Sequence, residues 1–69
     1  MILIAVKVWF LIGMYGVSPY VEGHYPTEEL CKENITKERP MFCVYSTYHM
    51  YEKEIIEMEK RYGVKISKG

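Results

Sequence analysis

The chain has 69 residues and a mass of 8.2 kDa, which limits it to one small domain over 1–69 and excludes an enzyme with a cleft between two lobes. Nine basic and nine acidic residues cancel, with pI near 6.7, so the sequence carries neither a basic groove for nucleic acid nor an acidic solvating tail. An apolar share of 49% with 26% charge excludes a disordered chain, but so short a chain buries only about 60% of its unfolded surface, so a disulfide, a metal or self-association is expected to supplement the core.

Residues 1–17, MILIAVKVWFLIGMYGV, fit a signal peptide, a short membrane helix or a long strand. A signal peptide carries its positive charge before the apolar stretch, whereas Lys7 lies inside it, and Tyr15-Gly16-Val17 is a poor cleavage site. A spanning helix needs roughly 20 apolar residues, and a central lysine costs it roughly 2.5–3.5 kcal/mol. The strand accommodates the lysine. Period-two alternation puts Ile2, Ile4, Val6, Val8, Phe10 and Ile12 on one face and Leu3, Ala5, Lys7, Trp9 and Leu11 on the other. Strand is therefore the expectation, with a membrane anchor or uncleaved signal as the alternative.

Gly13 and Gly16, followed by Ser18-Pro19 and the stretch Tyr20–Tyr25, predict a hairpin. Thr27 is an N-cap candidate, Glu28 and Glu29 suit the positive end of a helix dipole, and Arg39-Pro40 must break the chain, so a first helix is expected over 28–38. A third strand follows over 41–48, and a second helix over 49–62 with a stop at Gly63. The tail 64–67 adds a short edge strand or frays. The expected class is α+β: a small antiparallel-leaning sheet of about three strands with two helices on one face, in the order β-β-α-β-α.

Cys31, on the first helix, and Cys43, on the next strand, are disulfide candidates, with two reduced buried cysteines as the equal alternative. A zinc site combining them with His24 and His49 lacks the tight two-ligand turn of structural zinc sites, so no metal is expected, and no cofactor motif is present. There is no Gly-rich phosphate loop, no nucleophile elbow and no aspartate, and the glutamates of the second helix interleave with Lys53, Lys60 and Arg61 as a solvated face. Asn34-Ile35-Thr36 matches a glycosylation sequon by mid-helix coincidence. The chain reads as a non-enzyme.

Seven tyrosines carry the binding potential, because tyrosine brings apolar area and a hydroxyl at little entropic cost. Tyr15, Tyr20 and Tyr25 cluster around the hairpin; Tyr48, Tyr51 and Tyr62 belong to the C-terminal half, where Tyr48, Tyr51, Ile55, Met58 and Tyr62 follow the spacing of a helical association seam. These six tyrosines are the expected partner-binding residues, for a protein partner or a homo-oligomer. Nucleic acid is not an expected partner, and a membrane is disfavoured.

Trp9 in an apolar run, a Tyr-rich extended piece, then Tyr25-Pro26-Thr27-Glu28-Glu29-Leu30-Cys31 entering a helix and Cys43 in the next strand resemble the small two-cysteine accessory proteins of phages and prophages, over residues 9–45. The helix following His49 departs from the shortest members. The resemblance implies a host-interaction role, including stoichiometric inhibition of a host defence system or host enzyme in the host cytoplasm, and carries over no catalytic residue.

Overall fold

The long apolar run at the start of the chain is the strand around which everything else assembles. In the computed structural model, which describes residues 2–68, it forms β1 (Leu3–Tyr15). β2 (Ser18–Tyr25), α1 (Glu28–Glu33), β3 (Met41–Tyr51), α2 (Glu52–Tyr62) and β4 (Ser67–Lys68) follow, an α+β fold in the expected order with one short strand added. β1 is central: β3 pairs with it antiparallel from Leu3↔Tyr51 to Gly13↔Met41, and β2 pairs along its other edge from Trp9↔Tyr25 to Tyr15↔Ser18. β4 extends that second edge at Val6 and Lys7. A strand hydrogen-bonded on both edges and packed on both faces reads as nearly continuous apolar sequence, which is why this run resembles a membrane segment.

The β1–β2 connection is a two-residue loop, Gly16-Val17, with positive φ at Gly16 alone (64°), the pattern of a II′ hairpin. Between Leu11↔Gly23 and Ile12↔Val21 the register slips by one, so Glu22 is the extra residue of a bulge. Thr27 caps α1 by accepting from the Leu30 N–H at 3.2 Å. α1 stops at Glu33, five residues short of the expectation, because Asn34 folds its Nδ2 back onto the Leu30 carbonyl (2.8 Å) and ends the helix.

β3 also differs from the expected 41–48, running three residues further, and α2 starts at Glu52 with no loop between them. Glu54 makes this abrupt change feasible by accepting from the Tyr51 N–H at 3.1 Å, the carboxylate half of a capping box. Gly63 ends α2 in the left-handed region (φ 68°) and donates to the Glu59 carbonyl. Glu59 then accepts from the Ile66 N–H at 2.9 Å, which returns Ile66 to the core.

The helices do not share a face. Val6 and Val8, wholly buried, pack with Met50, Ile55 and Ile66, so α2 covers the even positions of β1. Leu11, of opposite parity, lies across from Cys43, and Cys43 is bonded to Cys31 of α1. α1 therefore covers the odd face at the other end of the sheet. The expectation of both helices on one face fails because each apolar set of β1 requires its own cover.

Candidate functional site

The disulfide joins Cys31 and Cys43 with Cα atoms 6.2 Å apart, within the bridging range. It fixes a six-residue helix that is too short to persist alone in water. Among the described residues no group of three or more His, Cys, Asp or Glu is placed to hold a metal ion.

The six tyrosines named from the sequence fall into separate environments. Tyr15 and Tyr20 pack edge-to-face at 5.4 Å on the exposed hairpin tip. Tyr48 is half-buried in an aromatic triangle with Phe10 (5.6 Å) and His24 (4.8 Å), packed against the core. Tyr51 is exposed at the β3–α2 junction. Tyr25 and Tyr62 meet at 6.2 Å, and burial together with Tyr62 pushes the Tyr25 phenol up. The helical seam does not exist as such, since Tyr48 and Tyr51 are strand residues while Ile55 and Met58 pack against the protein's own core.

Tyr25, Tyr62, His24, Met58, Glu54 and Arg61 line an open groove of about 320 Å³ between β2 and α2. Burial lowers the His24 pKa, and the Glu54 carboxylate partly opposes that shift. At the hairpin tip the bulge sends the Glu22 side chain to Arg39, whose Nη2 donates to Glu22 Oε2, while the Tyr15 hydroxyl donates to Glu22 Oε1 at 3.3 Å. The Arg39 guanidinium lies 4.5 Å over the Tyr15 ring, and the Met14 N–H donates to the Pro40 carbonyl (3.1 Å). The Glu22 hydrogen bond raises the Arg39 pKa. This cluster ties the segment before β3 to the hairpin.

Further exposed apolar side chains, outside the six tyrosines, lie along β3. Phe42 and Val44 are 46% and 39% exposed on the face of β3 that α2 shares, whereas Tyr45, 49% exposed, lies on the opposite face and stacks at 4.9 Å on Trp9 of the adjacent strand. β3 pairs only with β1 among the described residues, so these side chains border an edge with no hydrogen-bonded neighbour. The sequence signal was present in the absence of Lys, Arg, Glu, Gly and Pro from Met41 to Tyr51, but its meaning depends on β3 being an edge strand.

No protein-family model matches the chain, and comparison with curated proteins and with solved structures finds no match. No helix among the described residues is long and apolar enough to cross a membrane.

Proposed function

We propose that this chain is a non-enzymatic protein-binding module that acts by stoichiometric contact. The observation supporting it is the exposure of Phe42 and Val44 on one face, and of Tyr45 on the other, of an edge strand without Lys, Arg or Glu. Exposed aromatic and aliphatic groups beside unpaired backbone donors and acceptors suit strand addition, in which main-chain bonds supply affinity and alternate side chains supply specificity. The exposed Tyr15–Tyr20 pair at the hairpin tip is a second contact area. For a phage-type accessory protein the partner is a host protein, inhibited by occupancy of its surface. The test is the mass of the complexes the chain forms in a lysate, read by crosslinking and mass spectrometry. The Phe42→Ser/Val44→Ser variant retains its fold and loses those complexes; complexes unchanged by both substitutions would overturn the reading.

The bonded Cys31–Cys43 pair favours an exported setting over the host cytoplasm, because disulfides persist in oxidising compartments and are rare where thiol systems keep cysteines reduced. Fractionation with thiol alkylation distinguishes the two: an exported chain leaves both cysteines unreactive before reduction, whereas a cytoplasmic chain is alkylated at both.

A further inference from the structure

The two faces of β1 are covered unequally. On the even face Val6 and Val8 are wholly buried with Ile55 of α2, and on the odd face Leu11 is buried across from the bridged Cys43. Between Leu3 and Trp9, by contrast, no odd position of β1 is buried, so neither helix closes this half of the odd face. Residues directly opposite one another on paired strands share a face, with Cβ atoms roughly 5 Å apart. Two cross-strand rows follow from the register. Lys7 lies between Thr47 of β3 and Ser67 of β4, a cation flanked by two hydroxyls. Two residues further along β1, about 6.6 Å away at ~3.3 Å per residue, Trp9 stacks with the exposed Tyr45. Lys7 forms no ion pair among the described residues, and none of the chain's nine carboxylates stands on a strand position of this half-face. The lysine inside the apolar run therefore has no anionic neighbour in the sheet to account for it.

We propose that this half-face binds a nucleoside monophosphate, with the phosphate held by Lys7, Thr47 and Ser67 and the base stacked on the open side of the Trp9–Tyr45 pair. An ammonium beside two hydroxyl donors complements a phosphate group, and an aromatic pair one ribose further along complements a base. Charge selects the single nucleotide over a strand. A nucleic-acid strand needs a track of cations along its backbone, whereas one lysine in a chain of zero net charge matches one phosphate. The site stands apart from the protein-binding reading, with Tyr45 alone common to both surfaces.

Trp9 is the sole tryptophan, so its fluorescence reads the site directly. Titration of the full chain with adenosine monophosphate is expected to change Trp9 emission saturably. Adenosine, which fills only the aromatic row, should bind about tenfold or more weakly, and inorganic phosphate should compete only at a concentration higher by a similar factor. Lys7→Gln should weaken adenosine monophosphate about tenfold and leave adenosine unchanged, Lys7→Arg should retain the preference for the phosphate, and Tyr45→Ser should weaken both ligands. Thr47→Val keeps the β-branched shape and removes one hydroxyl, so it tests the donor row even where Lys7→Gln fails to fold. A wild-type chain with no saturable change at about 10 mM adenosine monophosphate overturns the proposal. Equal affinity for adenosine monophosphate and adenosine overturns it too, as does indifference to both Lys7→Gln and Thr47→Val. A single-stranded oligonucleotide bound more tightly than the mononucleotide, with affinity falling steeply as salt rises, puts a strand in the nucleotide's place and likewise overturns it.

Discussion

Glu22 crosses β1 directly over Gly13, so that a Cβ on Gly13 would lie 3.1 Å from Glu22 Cγ. Alanine in place of a strand glycine with ordinary φ stabilises by roughly 0.5–1 kcal/mol through the unfolded chain. Here the neighbouring side chain is held at its far end by Arg39 and Tyr15 and must be displaced. Gly13→Ala is therefore expected to lower stability by about 1 kcal/mol in urea unfolding, because loosening a charge-assisted hydrogen bond outweighs the entropic gain. In a Glu22→Ala background the obstruction is gone, and the same substitution becomes stabilising. An unchanged cost in that background would show that Glu22 is not what Gly13 accommodates.

The disulfide closes a loop with a sequence separation of 12. By the chain-entropy model it contributes about 3 kcal/mol, which in a domain of this size corresponds to a melting shift of roughly 12–24 °C. Reduction, or the Cys31→Ser/Cys43→Ser variant, should lower Tm by that amount and expose the amides of α1 to hydrogen exchange before those of β1 and β3. A reduced chain with an unchanged melt would show that Leu11 and the rest of that face hold α1 without the bond.

His24 gives the fold a pH dependence of defined sign. Burial lowers its folded-state pKa below the ordinary 6.5, so the unfolded chain binds the proton more readily. Its contribution is present above about pH 6.5 and is lost as pH falls from there toward the folded-state pKa. The urea midpoint should accordingly fall between pH 7.5 and pH 5.5, and His24→Phe, which keeps the ring contacts with Phe10 and Tyr48, should flatten that fall. An equally steep fall in the variant would assign the effect to other groups.

The order of elements was legible because each announces itself locally: alternation in β1, glycine at the hairpin, Thr27 before α1, and Gly63 after α2. The border between β3 and α2 was not legible, since Tyr48 and Tyr51 fit a helical spacing with Ile55 and Met58 as well as they fit a strand. Tertiary pairing decides it, because Leu3–Val6 need partners across the sheet and Tyr48–Tyr51 supply them. The placement of α1 opposite α2 was equally hidden. Parity separates Val6 and Val8 from Leu11, but which helix reaches which face depends on the path of the connections. The exposure of Phe42, Val44 and Tyr45 was hidden for a related reason, as an apolar strand marks a core in the middle of a sheet and leaves side chains open at its edge.

Ile55 and Ile56 distinguish a helix packed on its own sheet from one offering a seam to a partner. Ile55 is buried among Val6, Val8, Met50 and Ile66, whereas its neighbour in sequence is 53% exposed. Truncating a buried isoleucine removes its transfer free energy and leaves a cavity, a loss of about 2–5 kcal/mol. So large a loss is a substantial part of the stability of a small domain, and Ile55→Ala should leave the chain largely unfolded or melting far below wild type. Ile56→Ala removes a side chain that is only partly covered, and the better helix propensity of alanine offsets the small burial lost, so stability measured at dilute, monomeric concentration should change by less than about 0.5 kcal/mol. Circular-dichroism melts of the two variants provide the comparison. Equal losses at both positions would mean that α2 lies on the sheet with a rotation different from the one described.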